Sequence, residues 1–226
     1  MRVPTAAARV TAVALLATLV GACATTTNSP VAPPPRIVTR DAEVLVLTKG
    51  RTHFFENRRP HCLAYVLDGE WEFAVQAAAL RTADRSRFVG VVLQDKDALS
   101  DPGASDLVAR AITHILTDTE KEWGSPLQVK VEGFPGLKPG AVLLEFEDVT
   151  ITPALLARMT GPNPPTVGSR LRLPLRVVAP FDPGLVMVVT ALNASDAQAI
   201  ARTLEVTEEP QCWRRTIQER FPGALP

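Results

Sequence analysis

The 226-residue chain has no excess of charge of either sign: 24 Lys+Arg balance 24 Asp+Glu. That balance removes the electrostatic footprint on which nucleic-acid binding depends, so no nucleic-acid partner is expected. Histidine is scarce, with His53, His61 and His114 only, and no G-x-S-x-G elbow occurs. An acyl-transfer enzyme needs an activated Ser or Cys near a His, and no segment supplies that pairing. No glycine-rich, phosphate-cradling loop follows a strand. His61 adjoins Cys62, but no second close pair completes zinc spacing. Asp95, Asp97, Asp101 and Asp106 crowd one loop, yet Ser100 and Asp106 stand where a calcium loop needs glycine and a bidentate glutamate. No metal or cofactor is expected. No internal repeat at a fixed period is present, and after the first two dozen residues no apolar run approaches the ~20 residues that span a bilayer.

What the chain does have starts at its N-terminus. Arg2 and Arg9 are followed by an apolar run from Val10 to Val20, broken only by threonine. Its length suits a signal-peptide core and falls short of a membrane span. Val20, Gly21 and Ala22 then lead into Cys23. This Val-Gly-Ala-Cys run resembles the lipobox of bacterial lipoproteins, with valine where leucine is usual. The resemblance implies cleavage before Cys23, a diacylglyceryl group on its sulfur and an acylated, typically palmitoylated, amine. Two or more acyl chains anchor a protein stably where one does not. In enteric lipoproteins an aspartate after the cysteine retains the protein at the inner membrane; Ala24 stands here, which points to the periplasmic face of the outer membrane. The alternative is an ordinary secreted protein whose signal ends near a cysteine.

Residues 1–22 are thus read as signal peptide, 23–40 as lipidated cysteine and proline-rich tether, and 41–226 as one globular domain. Removing 1–22 takes away two arginines and no acids, leaving 22 basic and 24 acidic side chains, a formal charge of −2. Cys62 and Cys212 survive processing without a lipid role. In an oxidising envelope such a pair is read as a disulfide, two buried thiols being the alternative. A loop this long gives the bridge about 5 kcal/mol at most in the chain-entropy model.

Within the domain, 42–48, 62–67, 71–80, 87–93, 127–131, 142–149, 170–177 and 184–192 carry strand signals. The 170–177 segment alternates Leu171, Leu173, Leu175 and Val177 against Arg170, Arg172 and Arg176, with Pro174 marking an edge or a bulge. The 184–192 segment is almost wholly apolar, as a central strand is. Val108, Ile112, Ile115 and Thr119 recur at helical spacing, so 105–123 is predicted helical, with Ser105 as cap and Gly124 as stop. Ser195 and Gln198 form a capping box for a second helix with Ala197, Ile200, Ala201 and Leu204 on its buried face. Strands in hairpins interrupted by helices predict an α+β fold, an antiparallel sheet with helices packed on it.

Arg176-Val177-Val178, Leu185 to Ala191 and Ser195 to Leu204 resemble the PsbP-like family of extrinsic and periplasmic proteins. That resemblance implies an α/β/α sandwich and a non-catalytic binding or assembly role. Two other sets of residues qualify as sites. Glu145, Glu147 and Asp148 look like paired acids for hydrolysis, but cross-strand ion pairs with Arg170, Arg172 and Arg176 explain both groups. Arg58, Arg59, His61, Trp213, Arg214 and Arg215 flank the two cysteines and form a docking patch for an acidic partner or a lipid headgroup if the bridge closes; ordinary solvated charge is the plainer reading. The expectation is therefore a non-enzymatic, membrane-anchored module with an envelope protein as partner. The competing expectation is an envelope hydrolase using the acidic strand or the 95–106 loop. Nothing in the sequence sets an oligomeric state.

Overall fold

A computed structural model describes residues 34–222 except 59–60, 77, 96–98, 100–105, 125–126, 135–138, 158, 160–163, 183 and 208–211. The signal segment 1–22, Cys23, most of the tether, Arg59 and much of the 95–106 loop lie outside the described residues, as do the side chains of Arg58 and Cys212. Residues 33–226 form one compact unit.

The protein is α+β, with antiparallel sheets and four helices packed against them. The first sheet begins with β1 (Arg36–Arg40), β2 (Glu43–Thr48), β3 (Arg51–Arg58) and β4 (His61–Asp68), three hairpins in succession. Tight turns make them possible: Asp41 takes φ 48° between β1 and β2, and Gly50 takes φ 79° between β2 and β3. A fifth strand, β14 (Glu205–Thr207), arrives from the far end of the chain and pairs with β4. β2 is buried from Glu43 through Leu47 because both faces are covered.

The second sheet has seven strands. In spatial order they are β5 (Glu72–Phe73), β6 (Ala79–Arg81), β7 (Phe88–Asp95), β13 (Leu185–Ala191), β12 (Leu175–Asp182), β9 (Val142–Phe146) and β8 (Val129–Gly133). A small third ladder joins β10 (Val149–Thr150) to β11 (Arg170–Leu171). Among the described residues the helices are α1 (Leu107–Trp123), α2 (Pro153–Leu156), α3 (Ala194–Thr203) and α4 (Cys212–Arg220).

Strand alternation decides the layering. Leu45, Leu47, Phe54, Leu63, Tyr65 and Leu67 of the first sheet meet Val89, Val91, Leu143, Leu175, Val177, Met187 and Val189 of the second in one core. The opposite face of the first sheet, Val44, Val46 and Phe55, packs against Ile217 of α4. The opposite face of the second, Leu144, Phe146, Val178, Val186 and Val188, packs against Val108, Ala111 and Ile115 of α1. The layers therefore run α/β/β/α, one sheet more than the sequence suggested. The extra sheet grows from β1 and β3, segments that showed no clear strand signal: β1 lies inside the stretch read as tether, and β3 interrupts its apolar residues with Arg51, Asn57 and Arg58.

Helix α3 bridges the sheets, with Ala197 and Ile200 in the central core and contacts to β4 and β13. Its first turn holds Asp196, 2% exposed, in a two-pronged ion pair with Arg87, whose guanidinium also lies 4.6 Å over the Trp71 ring. Burying a carboxylate is costly unless a hydrogen-bonded cation meets it. The caps of two helices differ from expectation. Asp106, not Ser105, caps α1 by accepting from the Val108 amide at 2.8 Å. Asn193, not Ser195, caps α3: its Oδ1 accepts from the Asp196 amide at 2.9 Å and from the Ser195 hydroxyl at 2.7 Å.

Candidate functional site: a groove beside the end of α1

The strand read as 170–177 is broken. Residues 170–171 join β10, residues 175–182 form β12, and Pro174 sits in the gap, where its missing N–H breaks no ladder. β12 is consequently not an edge. It lies between β13 and β9 in the middle of the seven-stranded sheet. Arg176 is thereby carried onto the outer face of a central strand, the face that α1 covers one residue pair further on at Val178.

Register places four residues of neighbouring strands in one row across that face. Gly90 of β7 pairs with Thr190 of β13, Thr190 with Arg176 of β12, and Arg176 with Leu144 of β9. Gly90 and Thr190 are small, so the sheet surface stays low beside the arginine. Helix α1 ends at Trp123, and its last turn, Thr119, Glu122 and Trp123, forms one wall. Phe88, Val92, Phe146 and Leu173 supply apolar surface around it. The result is an open groove of about 610 Å³, within the size range of small-molecule sites. Val92 is 42% exposed, an unusual state for a valine in an internal strand.

Arg176 is the polar centre of this groove. Its Nη1 donates to the carbonyls of Pro174 and Leu175 at 3.1 and 3.4 Å. Among the described residues, no carboxylate lies within ion-pair distance and no acceptor meets the Nε–Nη2 edge. Burial pushes the guanidinium below its ordinary pKa, and the Glu122 carboxylate on α1 opposes that shift. The expected ion pairing of Arg176 with Glu145 and Glu147 does not form. Leu144, not Glu145, is the register partner of Arg176, and adjacent residues of a strand point to opposite faces.

The other acids and arginines do converge. Glu145, Glu147, Asp148, Arg170 and Arg172 share a second concavity of about 480 Å³ with Lys130 and Phe146. No ion pair joins the acids of this set to its arginines among the described residues; Lys130 instead bonds Glu132 at 2.7 Å.

The basic patch near the cysteines is only partly open. Cys62 is buried on β4, and its register partner is Thr207 of β14. Helix α4 begins at Cys212, five residues beyond Thr207, and packs on β3 and β4. Trp213 is half-buried against the face made by Val44, Val46 and Phe55, so it is a packing residue rather than a docking one. Arg214 is exposed, 5.8 Å from the Trp213 ring, and Arg215 approaches Glu219 at 3.8 Å. His61 is half-buried opposite Arg58 in the β3–β4 register. On the opposite face of β3, the one that α4 covers, His53 meets the Phe221 ring edge-on at 4.8 Å, and burial, Arg220 and Arg51 lower its pKa. His114 stands on the outer side of α1, 3.3 Å from Asp118.

The row through Gly90, Thr190 and Arg176 had no signature in the sequence: Arg176 and Thr190 sit on neighbouring hairpin strands, but Gly90 joins them from a strand far earlier in the chain. No protein-family model, curated protein or solved structure matches this chain.

Proposed function

We propose that this protein is a lipid-anchored lipoprotein of the bacterial envelope whose domain is a non-enzymatic binding module, with the groove around Arg176 as its ligand face. The observation that carries the reading is one arginine, held in an otherwise largely apolar groove, with a free hydrogen-bonding edge. Such a group costs stability while it lacks a partner, and a ligand that meets it offsets that cost. The anchor rests on the Val-Gly-Ala-Cys run at 20–23. The PsbP-like resemblance, carried by β12, β13 and α3, agrees with a binding or assembly role, although the second sheet adds a layer to the α/β/α order it implies. A Cys62–Cys212 bridge fits this picture, since α4 starts at Cys212 and covers the sheet to which Cys62 belongs.

Two measurements test the reading. Cys23→Ala moves the protein from the membrane to the soluble fraction, and retention in the membrane overturns the anchor. Gly90→Leu fills the groove floor. A Cβ at Gly90 meets its nearest neighbour, the Ala79 Cβ, at 3.7 Å, an ordinary contact, so the fold tolerates the start of a side chain there. The variant keeps its melting temperature within a few degrees and fails to complement a deletion strain. Full complementation overturns the groove as the functional face.

A further inference from the structure

We infer that the groove binds an amphipathic carboxylic acid, a long-chain fatty acid or similar acyl carboxylate, with its carboxylate on the Nε–Nη2 edge of Arg176 and its hydrocarbon along Trp123, Phe146, Leu173 and Val92. The inference rests on the reading of the groove as the ligand face and names the class of ligand.

Three features select this class. The first is the geometry of the donor. Nη1 is occupied by the Pro174 and Leu175 carbonyls, which turns one edge of the guanidinium into a fixed fork of two N–H groups. A planar carboxylate matches that fork with two parallel hydrogen bonds. The second is charge. Arg176 is a single cation, and Glu122, beyond ion-pair distance, lines the same groove. Arg81 also reaches the groove lining, but Glu72 already holds it at 2.9 Å. One uncommitted positive charge with a carboxylate beside it suits a monoanion and disfavours a phosphate carrying nearly two charges. The third is the remaining surface. Phe88, Phe146, Leu173 and Trp123 present apolar wall, and Val75, 94% exposed, stands at the rim of the loop before β6. A small hydrophilic acid leaves that wall in water, whereas a hydrocarbon chain covers it at roughly 25 cal/mol per Å².

Arg176 is on this view a positioning and recognition residue that is poorly placed for stability alone. Without ligand, Arg176→Met is expected to melt at or above the temperature of the natural chain. A purely structural arginine shows the opposite.

The test uses the full chain in lipid nanodiscs and two photoactivatable probes of equal length, a diazirine-bearing palmitic acid and the matching alcohol, with crosslinks mapped by peptide mass spectrometry. The acid labels peptides containing Trp123 or Phe146 at least tenfold more than the alcohol does. Arg176→Met brings the acid down to the alcohol's level, Arg176→Lys restores part of the preference, and Gly90→Leu abolishes labelling by both. Equal labelling of the natural chain by acid and alcohol overturns the inference, as does the absence of crosslinks in the groove. If the acid fails to label while Gly90→Leu still abolishes complementation, the ligand class is wrong and the groove reading stands. If the acid fails and Gly90→Leu complements fully, both fall.

Discussion

Tyr65 places its hydroxyl in the core between the two sheets, 1% exposed and with no hydrogen-bond partner for the oxygen among the described residues. Its ring stacks on Phe54 with centroids 4.7 Å apart, and burial raises its pKa well above the ordinary value, with Glu56 and Glu43 adding to the effect. The ring stabilises the core, while the unsatisfied hydroxyl costs free energy on the order of 1 kcal/mol. Tyr65→Phe is therefore expected to raise the urea midpoint, by up to about 1 kcal/mol in stability, without changing the slope of the transition. A drop in stability means that the hydroxyl is satisfied in solution. Arg176 belongs to the same class of residue, a polar group held where packing alone does not want it. The two differ in access: Tyr65 is sealed between sheets, whereas Arg176 opens onto a groove.

Helices and strands repeat the contrast at the next scale. The spacing of Val108, Ile112, Ile115 and Thr119 made α1 legible, and the unbroken apolar run made β13 legible as a central strand; both stand as expected. Their buried faces follow from neighbours three, four or two residues away, so the signal is local. Caps are local too, yet the oxygens that accept the first-turn amides belong to Asp106 and Asn193, each beside or near the serine expected in that role. Asn193 accepts the Asp196 amide, while Ser195 spends its hydroxyl on Asn193. Asn193→Ala should lower stability by about 1 kcal/mol, and Ser195→Ala by a few tenths, measured by thermal unfolding. The reverse order assigns the cap to Ser195. α4 was missed because its sequence, CWRRTIQER, is strongly polar; among its described side chains only Ile217 is fully buried, and the partners that bury it, Val44, Val46 and Phe55, lie more than 160 residues earlier. β12 starts and ends five residues later than the alternation suggests, at Leu175 and Asp182, because the pattern runs unbroken across Pro174 although the chain changes sheets there.

The whole molecule is held together by segments that return from the C-terminus. After β13, helix α3 crosses to the first sheet, β14 joins its edge beside β4, and α4 covers its outer face. The Arg87–Asp196 pair fastens α3 to the start of β7 at the same junction. A Cys62–Cys212 bridge would lock this closure covalently, and it is expected to do so in the oxidising envelope. Reduction should shift the protein on a non-reducing gel and lower its stability by no more than about 5 kcal/mol. Two free thiols by titration of the native protein overturn the bridge. The groove depends on the closure only indirectly, since its walls come from β7, β12, β13 and α1, so reduction should leave labelling at Trp123 largely intact.

By itself the amino-acid order determined the α+β class, the antiparallel character of the strands, the α1 and α3 helices and the central place of β13. These follow from free energies shared between residues a few positions apart, which periodicity, caps and turns express directly. Tertiary structure alone decided that there are two stacked sheets, that β12 is central, that Trp213 packs rather than projects, and that Gly90, Thr190 and Arg176 share one row. Strand order and register depend on contacts between segments far apart in the chain, such as Thr207 with Cys62, 145 positions earlier (207 − 62). Shifting a strand by one position reverses which side chains reach a given face, so no local pattern carries that information.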